Sequence, residues 1–506
     1  MRAIGLGLLV LSSTFLAGCV GPGSPVDPAS AEVDETLDWA LRAVVAGKGH
    51  DHQKIAHHRG LSSGNFEQLG WDPLLTEAYG GASAGGYFCG DAAVSGERRL
   101  AVVHGLGTKI AFVLSDVTDP ANPVKLSEMA LGGTAARDVA MTPDQRWIVL
   151  GASFFNTRNA MPRSDAAPAL TLAANDGYVE DSCTGTRTPL APVSPLGYPS
   201  GAVLVDISDP TAPKVADYFP LPVFGTHSIG VAEVDGKNIV LASVLNSAQP
   251  TGYYAFFTIE GGRLVFQSAY DSVPVVRGRP VLDNWHNDGW IHKHPVTGQT
   301  LAYLADWDGG LVVLDVSELR APREVARWAE FESEGPGDDI GSIHTALVLD
   351  ELWDGRHYTF LGQEIINHPA DTPTGIVYVL DTTDPANPER VGAWTLPVDP
   401  EWNDEFLVFS THYIAHQGRT LFVSMYHGGV WAVDVEDPTM PRSVGVFLPS
   451  EESPKPPKGS WYSPTVMEVK PLGGDELVLW DGNSGLYTVR FDASDPAPLL
   501  PEWDVP

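Results

Sequence analysis

Cysteine and cationic side chains are the scarce residues of this chain. Three cysteines in 506 residues exclude a small disulfide-stapled scaffold. Lys and Arg number 31 against 64 Asp and Glu, a formal net charge of −33. That excess repels a polyanion at long range and excludes a general nucleic-acid binder, which gains affinity by placing cations on phosphates. Beyond the first twenty residues no apolar run approaches the ~20 residues that a membrane-spanning helix needs. A Walker loop, a Rossmann glycine pattern and a C-x-x-C pair are also missing. Nucleotide and dithiol chemistry therefore has no local signature, although a site can still be assembled from distant loops.

Glycine and proline are plentiful, at 52 and 41 residues, and hydrophobic residues make up 43% of the chain. Short Val, Ile, Leu, Tyr and Trp runs alternate with Gly, Pro and Asp punctuation, the pattern of many short strands joined by tight turns. One unit recurs: an alternating apolar run that ends in Asp and is followed by Asp-Pro-x-x-Pro. It reads IAFVLSDVTDPANP at 110–123, AVLVDISDPTAP at 202–213, IVYVLDTTDPANP at 376–388 and VWAVDVEDPTMP at 430–441. Weaker copies are LVVLDVSELRAP at 311–322 and LYTVRFDASDPAP at 486–498, with a degenerate one, YYAFFTIEGGRL, at 253–264. Each copy sits among four β-prone runs, the signature of a propeller blade. The units predict an all-β, seven-bladed β-propeller of four-stranded antiparallel blades over 84–506, with blades starting near 88, 136, 226, 285, 342, 410 and 463. Residues 152–200 form an insertion in blade 2. The last outer strand is poorly written in LLPEWDVP, so an N-terminal strand is expected to help close the ring.

These units resemble the LVIVD repeat of bacterial and archaeal surface proteins, a resemblance that implies a β-propeller and says little about chemistry. The N-terminus resembles a lipoprotein signal: an apolar run from Ile4 to Phe15 leads into Leu16-Ala17-Gly18-Cys19. The resemblance implies cleavage of residues 1–18, lipidation of Cys19 and an extracytoplasmic protein anchored to a membrane. Val20 after the lipidated cysteine resembles outer-membrane sorting in a Gram-negative host. Residues 19–36 then form a disordered tether and 37–83 a His-rich lead-in, with His50, His52, His57 and His58.

Propeller geometry gathers the entry of each innermost strand and the loop between second and third strands on one face, around the channel mouth. His227, His286, His344 and His412 open first strands, and His104, Asp308, Glu364, His427 and Asp481 lie on second-to-third loops. Imidazole with carboxylate is a ligand set for copper, zinc, iron or manganese. The expected metal residues are His227, His286, His344, His412, Glu364, His104 and His427. The competing reading is that each ring donates to a carbonyl of the neighbouring blade. His292 and His294 belong on blade 4 away from the mouth, and Trp307, Tyr426 and Trp480 are read as packing between sheets. Cys89 and Cys183 map to the same face of adjacent blades and are expected to form a disulfide, with thiolate ligation of a metal as the alternative.

Two functions follow. The first is a membrane-anchored scaffold that binds a protein, glycan or small molecule through its loop face. The second is a metal-dependent oxidoreductase or hydrolase with a His/Glu-lined site at the channel mouth.

Overall fold

A computed structural model describes residues 54–83, 86–105, 110–130, 135–153, 178–180, 187–189, 201–221, 226–244, 253–271, 275–276, 279–280, 287–307, 309–329, 342–365, 375–396, 408–455 and 464–494. Seven four-stranded antiparallel sheets make the blades. Their innermost strands are Tyr87–Ser95, Ala135–Met141, Thr226–Val234, Gly289–Lys293, Ile343–Val348, Ile414–Gln417 and Val466–Gly473. Each packs on the next and the seventh returns to the first, so the strands form a closed ring around a channel.

The seventh blade takes its outer strand from the N-terminal side of the chain. Phe66–Asp72 pairs antiparallel with Gly485–Phe491, from Phe66 opposite Phe491 to Asp72 opposite Leu486. This is the closure expected from the weak last repeat, and the strand comes from the segment read as a lead-in. Phe66 is buried against Phe422, Phe447 and Phe491, at ring-centroid distances of 6.4, 6.0 and 4.8 Å.

The strands read as continuous apolar runs because both faces of every blade are covered. In blade 1, Leu100 and Val102 point to blade 2 while Ala101 and Val103 point to blade 7. The same period-two division builds one apolar core at each blade-to-blade junction. The repeated Asp at the end of the third strand, present in every blade but the third, makes an Asx turn. Asp116, Asp206, Asp315, Asp381, Asp434 and Asp492 each accept the backbone N–H two residues on, at 2.8 to 3.0 Å. The Asp of each Asp-Pro step repeats the device, as Asp119, Asp209, Asp384 and Asp437 show.

At the mouth the ladder between inner and second strands slips by one residue. The slips lie between Tyr87 and Gly90, Ala136 and Asp138, Thr226 and Ser228, Ile343 and Thr345, and Val466 and Glu468. Such bulges free a residue from the ladder and re-aim its side chain. Phe88, Cys89, His227 and His344 all fall within them. Side chains at or beside these slips bond to the next blade. Asp91 accepts the Met141 N–H (2.8 Å), Asp138 accepts the Ile229 N–H (2.7 Å) and Ser228 Oγ–H (2.9 Å), and Asp288 accepts Thr345 Oγ1–H (3.1 Å). His344 Nδ1 bonds the His412 carbonyl (2.9 Å), His412 Nδ1 the Met467 carbonyl (2.7 Å), and Glu468 accepts the Gly90 N–H (2.8 Å). At the remaining junction the backbones meet directly: a Cβ on Gly230 would stand 2.9 Å from the Gly289 carbonyl oxygen.

On the opposite face, His292 stacks on His357 (5.1 Å between centroids) and His294 lies edge-on to His357 (4.6 Å), closing the base of blades 4 and 5. Tyr303 and Asp350 complete the surroundings of His292. Burial lowers the pKa of His292 to about 3 and of His357 to about 4, and it also lowers that of His294.

Two outcomes are expected. Phe66→Ala should lower the unfolding free energy by about 3–5 kcal/mol in urea titrations, as loss of a buried ring does. The imidazoles at the base are neutral when folded and bind protons near pH 6.5 when unfolded. Their contribution to stability is therefore complete above about pH 6.5 and is lost as pH falls toward the folded values. Urea midpoints measured across this range should decline on the acid side, and His292→Phe should flatten the decline.

Candidate metal centre in the channel

Blades 5 and 6 build the centre. His344 lies in the slip at the start of the blade 5 inner strand, and Glu364 directly follows the second strand, Tyr358–Gln363, its N–H held by the Ser342 carbonyl at 2.8 Å. His412 precedes the blade 6 inner strand, its N–H held by the Ser424 carbonyl at 2.9 Å. The ligand atoms of His344, Glu364 and His412 all lie within 4.8 Å of one another, and all three residues are buried. The two imidazoles are 4.4 Å apart between centroids, and His344 Nε2 is 3.8 Å from Glu364 Oε2.

Hydrogen bonding assigns the tautomers. A carbonyl oxygen can only accept, so the Nδ1 atoms of His344 and His412 carry the protons and each Nε2 keeps its lone pair. A ligating histidine is commonly held in this way, with one nitrogen donated to the protein and the other left for the metal. The two sequence readings are therefore compatible: the ring that joins the blades also offers a ligand. Burial lowers the pKa of His344 to about 4 and of His412 to about 3, keeping both neutral, while burial raises that of Glu364. The Tyr426 hydroxyl donates to Glu364 Oε1. Two lone pairs and a carboxyl group converge in a space with little solvent, which suits a cation of the imidazole-binding class.

The other expected residues divide. His104 joins a second group with Cys89 and Asp138, again buried and with ligand atoms within 4.8 Å of one another. Phe88 separates the groups, its ring 5.9 Å from His104 and 5.4 Å from His412. His427 belongs to neither group among the described residues. It closes its own loop, with Nδ1 2.9 Å from the Val408 N–H and its backbone N–H on the Val408 carbonyl at 3.0 Å. Half-buried His227 is also outside both groups. Asp481 caps its turn, accepting the Asn483 and Ser484 N–H groups. His286, Asp308, Cys19, Cys183, His50 and His52 lie outside the described residues. Cys89 has a free thiol. His58 is buried and bonds the Ile55 carbonyl through Nδ1, while His57 is exposed.

Several residues of the channel escaped sequence reasoning. Lys470 lies 2.6 Å from Glu468 and 3.9 Å from Asp91. Burial, the largest cause in each case, raises the pKa of Asp288 to about 6, Asp138 to about 7 and Glu468 to about 8. Asp91, Asp138 and Asp288 repeat one letter, each accepting the next N–H of its own chain, but their reach to the next blade shows only in the ladder. Trp480 is core, as expected, whereas Trp307 is half-buried and Tyr426 serves Glu364. Trp307 and Tyr426 share a left-handed backbone, φ 42° and 48°, and each carbonyl receives the first N–H of the next inner strand, from Ile343 and Val466. A Gly-x-Ser-x-Gly string at 81–85 places Ser83 in a two-residue strand paired with Leu75–Thr76, rather than on a strand-to-helix elbow.

The LVIVD repeat family model matches residues 200–218 and 300–329, the third and fourth strands of blade 2 and the second to fourth strands of blade 4. No curated protein matches. Among solved structures the chain is similar to Saccharomyces cerevisiae Sqt1, at 9% identity over 81% of this chain and 96% of that one, TM-score 0.45. It is also similar to the Pseudomonas aeruginosa periplasmic gluconolactonase PpgL, at 13% identity over 78% and 99%, TM-score 0.46. A third is the β-propeller domain of Myceliophteria thermophila Cps50 (Swd1), at 10% identity over 81% and 97%, TM-score 0.47. At this identity and superposition nothing about activity passes from them to this chain. The chain is thus a seven-bladed β-propeller, in two blades of which the LVIVD repeat is matched.

Proposed function

We propose that the protein is a lipid-anchored, extracytoplasmic binding propeller that holds a transition-metal ion at His344, Glu364 and His412. The observation that carries this reading is the convergence of ligand atoms from two imidazoles and one carboxyl group, with each Nδ1 bonded to a carbonyl of the neighbouring blade. Copper, zinc, iron and manganese all accept this donor set. The loop face around the mouth would receive the partner, a protein, glycan or small molecule. Anchoring rests on the Leu-Ala-Gly-Cys19 sequence, which would tether the body through residues 19–36.

A second reading, a metal-dependent oxidoreductase or hydrolase, is favoured by the number of ligands. Among the described residues three protein ligands converge, which leaves coordination positions open, as catalytic centres do and closed structural sites do not. A bound metal would supply Lewis acidity or a redox couple. Glu364 would share the charge of the ion, and Tyr426 would orient Glu364 through its hydroxyl.

Elemental analysis of the mature protein, purified without a His tag, should find copper, zinc, iron or manganese at near-stoichiometric level. His344→Asn with His412→Asn should lower the metal content by about one equivalent while the thermal transition is retained, because an Asn amide can replace the Nδ1–H donor but not Nε2. Metal-free protein that also takes up no added metal contradicts the reading. For the anchor, labelled fatty acid should enter the wild-type chain and not Cys19→Ser.

A further inference from the structure

The group formed by Cys89, His104 and Asp138 does not follow from the centre just described. Cys89 lies in the slip of the blade 1 inner strand, between Tyr87 and Gly90. His104 is on the adjacent strand, Arg98–Gly105, and its Nε2 accepts the Cys89 backbone N–H at 3.1 Å. Asp138 comes from blade 2, directly after the slip of that inner strand. Three strands of two blades thus bring sulfur, nitrogen and oxygen ligand atoms within 4.8 Å of one another, on residues that are 4%, 0% and 4% exposed.

A buried thiol usually acts as a small apolar group. Cys89 does not: among the described residues it belongs to none of the seven apolar cores between blades. Its surroundings are polar and anionic. Besides Asp138, Glu468 and Asp288 act on it electrostatically, and Tyr413 hydrogen-bonds it. Among the described residues three channel carboxylates, Asp91, Asp288 and Glu468, interact with one ammonium, Lys470, an imbalance that a bound cation would reduce. Asp138 is also held as a ligating carboxylate needs to be. It accepts Ser228 Oγ–H and the N–H groups of Ile229 and Val139, so its orientation is set before any ion arrives.

We propose that Cys89, His104 and Asp138 form a second metal site, selective for a thiophilic ion such as zinc and distinct from the His344–Glu364–His412 centre. Sulfur, imidazole and carboxylate together are donors that zinc accepts. Binding breaks the S–H bond, forms a sulfur–metal bond, releases one proton to solvent and exchanges the Cys89 N–H on His104 Nε2 for the metal, with no change in oxidation state. The inference does not rest on the first centre, although Tyr413 ties the two together: it bonds Cys89 and lies edge-on to His344 and His412, at 5.3 and 4.8 Å. A Cys89–Cys183 disulfide and a Cys89–metal bond are mutually exclusive uses of one sulfur.

The test uses the full mature chain and cobalt(II) as a spectroscopic stand-in for zinc. The His344→Asn, His412→Asn double variant should bind about one equivalent of cobalt and show thiolate-to-cobalt charge-transfer absorption. Adding Cys89→Ser, a near-isosteric change, should remove that band while the thermal midpoint is retained. Wild-type protein that binds cobalt without the sulfur band leaves the first centre standing and overturns this site. A Cys89–Cys183 bridge found by non-reducing peptide mapping of the purified protein overturns it too. A double variant that keeps the band while wild-type protein binds only one equivalent supports this site and removes the first.

Discussion

Everything in this molecule depends on hydrogen bonds that run from one blade to the next around the channel. A propeller blade satisfies its own backbone within the sheet, except where the inner strand slips at the mouth. There the ladder leaves N–H and C=O groups exposed to the bore, and buried groups of this kind must find partners. Asp91, Asp138, His344, His412 and Glu468 supply them, and Asp288 adds a bond to the Thr345 hydroxyl. Apolar packing holds adjacent sheets together but does not specify which atoms face inward. The polar belt does, and its members are the side chains best suited to bind a cation.

Structure and chemistry therefore share residues. His344 and His412 spend Nδ1 on a neighbouring carbonyl, and the same bond leaves Nε2 as the ligand atom. Asp138 holds blade 3 and stands beside Cys89. The acidity of the chain divides along similar lines. On the outside it is the Asx-turn aspartates, repeated because the blade is repeated; burial is slight there, and bonds to the turn lower the pKa values of Asp206, Asp209, Asp437 and Asp492. Inside the channel, the carboxylates are raised by burial instead. One composition figure covers two populations with opposite electrostatics.

The blades were legible because the repeat carries its own punctuation: an apolar run, an Asp, then Asp-Pro. The weak final strand also signalled its replacement, which Phe66–Asp72 provides. Of the site, His344, His412 and Glu364 could be placed at one mouth by topology alone. The same rule misjudged His427, because a loop position does not reveal whether the ring turns inward or closes its own turn through Val408. Asp138 and Cys89 were illegible as a pair for a different reason. Their proximity is created by register slips in two separate blades, and a slip has no letter in the sequence. His357, which completes the cluster at the base, sits in a hairpin that no motif marks.

The central claim is that the belt around the channel is also a ligand set. Its most direct test is an anomalous difference map from crystals of untagged protein, collected on both sides of the absorption edge of the metal found in it. The account predicts a peak between His344 Nε2, His412 Nε2 and the Glu364 carboxylate. A map with no peak there, from protein soaked in zinc and in copper, would contradict it.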